Sequence, residues 1–201
     1  MRVAREARGL LEAQGILVVF PDPTDELEVD VAVEPAPDSP ERLAYSACKV
    51  RARHWVRGVR DARLALSLAI AAPKGVFDEL LIGVDPGTGG CGVTAIADGI
   101  VVWAGRGPCE SLGERILWLK SWIPSKEYSV YVGSGPGFSV AEDSLASMGI
   151  SYVVVEEYGT TRHPILWHVL EKLRDRDLVA SASIALLGAS SLGKRRLEEL
   201  R

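Results

Sequence analysis

Apolar positions change their spacing near residue 80. Before it they recur at three- and four-residue steps or alternate with charge; after it they gather into short runs broken by glycine-rich turns. Leu80–Val84, Gly92–Ala97, Ile100–Ala104 and Tyr128–Val132 therefore read as strands, with Asp98-Gly99 as a two-residue hairpin turn between the second and third. Ser111–Ile123 is amphipathic and stops at Pro124, and Ser139-Val-Ala-Glu142 reads as a capping box opening a helix that ends at Gly149. Ile150–Val155 is a fifth strand, and Pro164 to Leu187 holds one or two helices. This order predicts an α/β domain: an antiparallel three-strand meander extended by parallel crossovers into a five-stranded mixed sheet flanked by helices.

The first 79 residues follow a different pattern and are expected to form a small α/β N-terminal region. Arg2–Gln14 has helical spacing and stops at Gly15, and Ile16–Phe20 reads as a buried strand. Pro21–Glu41 holds eight acids, no base and five prolines, and within it Leu27-Glu-Val-Asp-Val-Ala-Val-Glu34 alternates as a strand with one wet face. Ser39-Pro40 then suits a helix start. Tyr45, Cys48, Ala52, Trp55, Val59, Ala62 and Leu66 form one apolar helical stripe, with Lys49, Arg53, Arg57 and Arg60 as a basic stripe beside it. A long basic amphipathic helix is thus expected. Its charged side is a solvated face, a surface tracking phosphates, or a clasp for the acidic segment Pro21–Glu41.

Composition narrows the function classes. The chain has 201 residues, 47% hydrophobic and 25% charged, an ordinary globular balance. A net charge of −4 excludes a generally basic nucleic-acid coat, though not a nuclease that gathers acids at a metal and bases elsewhere. No apolar run approaches the roughly 20 residues of a membrane helix, and the charged start has no apolar block behind it, so neither a span nor a signal peptide is expected. Cys48, Cys91 and Cys109 are odd in number and widely spaced, which reads as three reduced thiols in a cytoplasmic protein.

Candidate chemistry starts at Asp85, a carboxylate at the end of a buried apolar strand, followed by Pro-Gly-Thr-Gly-Gly and a hairpin partner. An acid emerging there is costly without a cation or hydrogen bonds. With the strand order, Leu81-Ile-Gly-Val-Asp85-Pro-Gly-Thr-Gly resembles the opening of the ribonuclease H-like superfamily, over about residues 80–187. Of its branches the chain looks most like the YqgF group of putative Holliday junction resolvases and pre-16S rRNA nucleases, and more distantly like RuvC. It lacks a RuvC-type acid in the turn Tyr131-Val-Gly-Ser-Gly-Pro-Gly137 and has Ala180 where a second helix acid stands. Val132-Gly-Ser-Gly-Pro136, Glu156-Glu157-Tyr158-Gly-Thr-Thr161 and the Asp177 helix start are similar to the YqgF pattern, with Tyr158 in place of that motif's Arg and Arg162 nearby.

The resemblance implies a ribonuclease H-like fold and an endonuclease that hydrolyses phosphodiester bonds with Mg²⁺ or Mn²⁺. Carried over, Asp85, Glu157 and Asp177 are both catalytic and metal ligands, with Glu156 and Asp175 as backup acids. The partner implied is nucleic acid, as junction DNA or structured precursor RNA, contacted by Lys49, Arg53, Arg57, Arg60 and Arg162. Paired cuts on a junction would call for a homodimer. Against this stand plainer readings: Glu156-Glu157 as a solvated rim, and Asp177 as a helix-start charge favoured by the dipole. His163 and His168 serve proton transfer or simply open a helix, Gly133–Gly137 is a weak phosphate-loop candidate, and Lys194-Arg-Arg196 is a small basic tail. The competing functions are a catalytically inactive nucleic-acid-binding or assembly protein on the same fold, and an actin/hexokinase-like ATP-binding lobe, for which the chain is short.

Overall fold

The computed structural model describes residues 8, 17–20, 22, 24–35, 49–59, 69, 71, 73–156 and 175–199, with side chains of the last helix to 190. The chain divides into two compact units: Met1–Val76 with Trp122–Pro124, and Phe77–Ser121 with Ser125–Arg201.

In the first unit, β1 (Glu26–Pro35) and β2 (Lys49–Val59) form a two-stranded parallel sheet. The long helix expected from Ser39 to the Ala71-Ala-Pro-Lys-Gly75 stop is corrected over residues 49–59, which are extended. The reason is visible in the register: Glu26 lies opposite Lys49, Glu28 opposite Arg51 and Glu34 opposite Arg57. Lys49 Nζ reaches Glu26 at 2.6 Å, Arg53 reaches Asp30 at 3.3 Å and Arg57 reaches Glu34 at 3.3 Å. Leu27, Val29, Val31, Val50, Ala52 and Val56 take the other, less exposed face, as period-two alternation requires. Cross-strand charge pairs thus favour a sheet over the helix that the same spacing allows. Residues 17–20 are also corrected. They form no strand, and Leu17, Val19 and Phe20 are exposed.

The second unit is the mixed α/β sheet that the sequence predicts. β3 (Phe77–Gly87), β4 (Gly90–Ala97) and β5 (Ile100–Gly107) make the antiparallel meander. A 3-10 turn (Cys109–Ser111) leads into α1 (Leu112–Trp122), then β6 (Ser125–Gly133), α2 (Phe138–Ser147), β7 (Val153–Val155) and α3 (Arg176–Glu199). The sheet order is β5-β4-β3-β6-β7, with β6 parallel to β3 and β7 parallel to β6. Asp98 and Gly99 both have positive φ, 45° and 81°, the turn that a right-twisted two-residue hairpin needs. Ser139 is corrected from cap to first-turn residue: Gly137 is the N-cap and makes no side-chain cap bond.

The two faces of the sheet are served by different helices. Trp103 on β5 meets Trp118 of α1 edge-on at 6.1 Å, and the Ser144 hydroxyl of α2 accepts from Gly113 N–H of α1 at 3.1 Å. Helix α3 covers the opposite face, packing Ala182, Ile184 and Ala185 on Leu81, Ile96 and Tyr131. Its run of Ala and Ser lets backbone approach backbone. A Cβ on Gly83 of β3 would collide with the Ser181 carbonyl and lie 2.9 Å from Ala185 Cβ.

The expectation of three free thiols is corrected too. Cys91 and Cys109 form a disulfide with Cα atoms 5.0 Å apart. The β4–β5 register sets Cys91 opposite Gly107, two residues before Cys109, which brings the pair into bridging range. Arg115 clamps the same two segments, donating to the Pro108 carbonyl at 2.6 Å and the Cys91 carbonyl at 3.4 Å; burial lowers its pKa. Cys48 lies outside the described residues. The cytoplasmic reading loses the support it drew from reduced cysteines. Among the described residues, no helix is long and apolar enough to cross a membrane.

Candidate metal centre

Asp85 sits near the C-terminal end of β3, the central strand, and is half-buried. Strand alternation puts Leu81, Gly83 and Asp85 on the face that α3 covers. Across the sheet, Asp85 pairs with Gly92 of β4, and Gly92 with Arg106 of β5. Paired residues share a face, so an acid, a gap and a base form one row. The first turn of α3 lies over the gap. A Cβ on Gly92 would be 2.7 Å from the Asp177 carbonyl oxygen and 3.1 Å from Asp177 Cβ. Glycine at 92 is what lets Asp177 come down onto the row.

Three polar contacts fix the helix start. The Thr94 hydroxyl donates to the Leu178 carbonyl at 3.0 Å and lies 2.7 Å from the Ser181 hydroxyl. Asp175 Oδ1 accepts the Asp177 N–H at 3.0 Å, satisfying one of the unpaired amides of the first turn. Arg106 then closes the group from β5. Its Nη2 is 2.6 Å from Asp177 Oδ2 and its Nη1 is 3.7 Å from Asp175 Oδ2. The Arg106 and Asp177 side chains keep 46% and 36% of their exposure, so the pair contributes little to stability and can exchange partners.

Asp85 and Asp177, from distant parts of the chain, are thus brought to the same face and end of the sheet, with Asp175 beside Asp177. Glu157 and Arg162 lie outside the described residues, as do His163 and His168. Glu156 is exposed just beyond β7. Val155 packs on the α3 cluster, so continued alternation carries Glu156 to the opposite face. Lys49, Arg53 and Arg57 are paired with β1 acids rather than arrayed along a helix, and Arg60 lies outside the described residues. In the Gly133–Gly137 turn, Gly137 N–H already donates to the Pro86 carbonyl at 3.0 Å. The sequence reading missed Arg106 and Gly92. Extending the third strand past Ala104 would have reached Arg106 but set Gly105 opposite Gly92. The irregularity between Ala95 and Ile96 shifts the register by one and brings Arg106 there instead, and the sequence carries no signal for it.

Among the described residues, no three His, Cys, Asp or Glu side chains come together closely enough to hold a metal ion. The donor chemistry nevertheless fits part of a site for a hard divalent cation, since carboxylate oxygens are what Mg²⁺ and Mn²⁺ take. No protein-family model matches the chain, and no curated protein matches it. Among solved structures, the chain is similar to T. thermophilus RuvC in complex with a Holliday junction substrate, at 13% identity and a TM-score of 0.39, over 54% of this chain and 90% of that one.

Proposed function

We propose that the second unit is a divalent-metal-dependent nuclease that hydrolyses phosphodiester bonds in structured nucleic acid. The observation that carries this reading is the shared face of Asp85 and Asp177, held together by the Asp85–Gly92–Arg106 row and the glycine gap under α3. Asp85 and Asp177 would hold Mg²⁺ or Mn²⁺, with Glu157 as third ligand and Asp175 as the alternative helix acid; Glu156, on the opposite face, is not a ligand in this reading. A cation bound there supplies an activated water and charge stabilisation for the leaving oxygen. The chain's own part is placement: β3 and α3 present carboxylates from two rigid elements rather than from loops. The YqgF-like placement of acids is the finer reading, supported by the Val132-Gly-Ser-Gly-Pro136 turn and the acid at the start of the last helix. A junction substrate would involve a homodimer, because symmetric cuts need two sites.

A second reading, a catalytically inactive nucleic-acid-binding protein, is favoured by one contact. Arg106 already neutralises Asp177 with a cation belonging to the chain. Labelled four-way junction DNA and structured precursor RNA, incubated with Mg²⁺ or Mn²⁺, separate the two. Cleavage by the wild type is expected, abolished by EDTA and reduced at least about a hundredfold in both Asp85→Asn and Asp177→Asn. Binding without cleavage, indifferent to both substitutions, would establish the inactive reading instead.

A further inference from the structure

We propose that Arg106 is a built-in counter-ion that competes with the divalent cation for Asp177, so that metal binding requires its guanidinium to let go. This rests on the metal reading of the same site. Three observations carry it. Arg106 engages Asp177 at 2.6 Å with Asp175 close by, so its fork spans two acids of the helix start. Its position is fixed by the sheet, in register with Gly92 and, one strand further, with Asp85. Its side chain remains nearly half exposed, so water can receive the guanidinium when it leaves.

The physical case is one of like charges. A guanidinium and a divalent cation cannot share one half-exposed carboxylate without mutual repulsion, and either alone relieves the repulsion between neighbouring acids. Arg106 therefore keeps the acids together while the site is metal-free, and lowers its affinity for metal by the same interaction. Its role is positioning: it acts through Asp177. The disulfide steadies the segment on which it stands, since Cys109 lies three residues beyond it and is tied to Cys91, the residue before Gly92.

The test is a titration of the full-length chain with Mn²⁺, with free ion followed by electron paramagnetic resonance, and thermal unfolding recorded with and without the ion. Arg106→Gln is expected to bind Mn²⁺ on the order of tenfold more tightly than wild type, the effect of removing one charge beside a half-exposed site. Without metal, the same variant should unfold at only a slightly lower temperature, since the half-exposed pair contributes little, and Mn²⁺ should raise that temperature more than it does for wild type. Arg106→Lys, which keeps the charge but loses the fork, should fall between, and it carries the test if Arg106→Gln does not fold. A purely structural Arg106 would weaken Mn²⁺ binding when removed. Unchanged or weaker binding in the variants, with Mn²⁺ bound by wild type and lost in Asp177→Asn, overturns the counter-ion role alone. Absence of Mn²⁺ binding in wild type and variants alike overturns the metal reading together with it.

Discussion

Valine at Gly83 should leave the second unit largely unfolded, at a cost upward of ~4 kcal/mol. Gly83 lies in the middle of β3, between buried neighbours Ile82 and Val84, where α3 crosses the sheet. The atoms a side chain would meet are the Ser181 carbonyl and the Ala185 N and Cβ, all parts of a helix backbone or fixed to it. Nothing there can rotate away. The helix would have to lift as a body, opening the cluster of Leu81, Ile96, Tyr131, Ala182, Ile184 and Ala185 to water. Alanine at the same position should cost more than about 2 kcal/mol for the same reason. Gly89, in the β3–β4 turn with open space around it, is the control, and its change to alanine should cost less than about 1 kcal/mol. Urea unfolding followed by circular dichroism reads all three. An unchanged midpoint for Gly83→Ala would mean that α3 does not seat against β3 as described.

Breaking the Cys91–Cys109 bridge is expected to cost about 3 kcal/mol, from the loop-closure entropy of its 18-residue separation. The corresponding fall in melting temperature is roughly 10 °C. Cys91→Ala with Cys109→Ala is the appropriate double variant, because both sulfurs are buried and a serine would strand a hydroxyl. Thiol titration of the unfolded, unreduced chain should find one reactive group, Cys48, among the three cysteines. Three reactive thiols would remove the bridge from the structure. The local geometry should survive its loss in part, because the Arg115 hydrogen bonds to the Pro108 and Cys91 carbonyls span the same gap.

The parts of this fold that were legible in sequence are those decided by local chemistry. Asp98-Gly99 announced its hairpin because few other dipeptides take positive φ twice. The apolar runs of β3, β4 and β6 announced buried strands because polar residues are costly there. Asp85 and Asp177 were legible as acids at element ends. That they share one face was implied by the family resemblance alone and not by local chemistry, since it depends on Gly92 and on a register that no single segment carries. Lys49, Arg53 and Arg57 show the commonest ambiguity. A spacing of four is one helical turn and also two full strand repeats, so the stripe alone cannot choose. The decision rests 23 residues upstream, where Glu26, Asp30 and Glu34 repeat the same spacing with the opposite sign. The disulfide was hidden for a similar reason: Cys91 meets Cys109 only after β4 and β5 have paired.

That matched spacing makes the β1–β2 ribbon work like a key and its lock. Four rungs are acid against base, and one, Ala32 opposite Trp55, is a small residue against a large one. Slide either strand by one residue and the charges turn toward the apolar side. Slide by two and the faces are restored, but the indole lands opposite Asp30 or Glu34 and Arg57 or Glu34 loses its partner. Only the observed alignment fills every rung. A run of alternating charge, which by itself would tolerate several offsets, is thereby given one address by a single tryptophan.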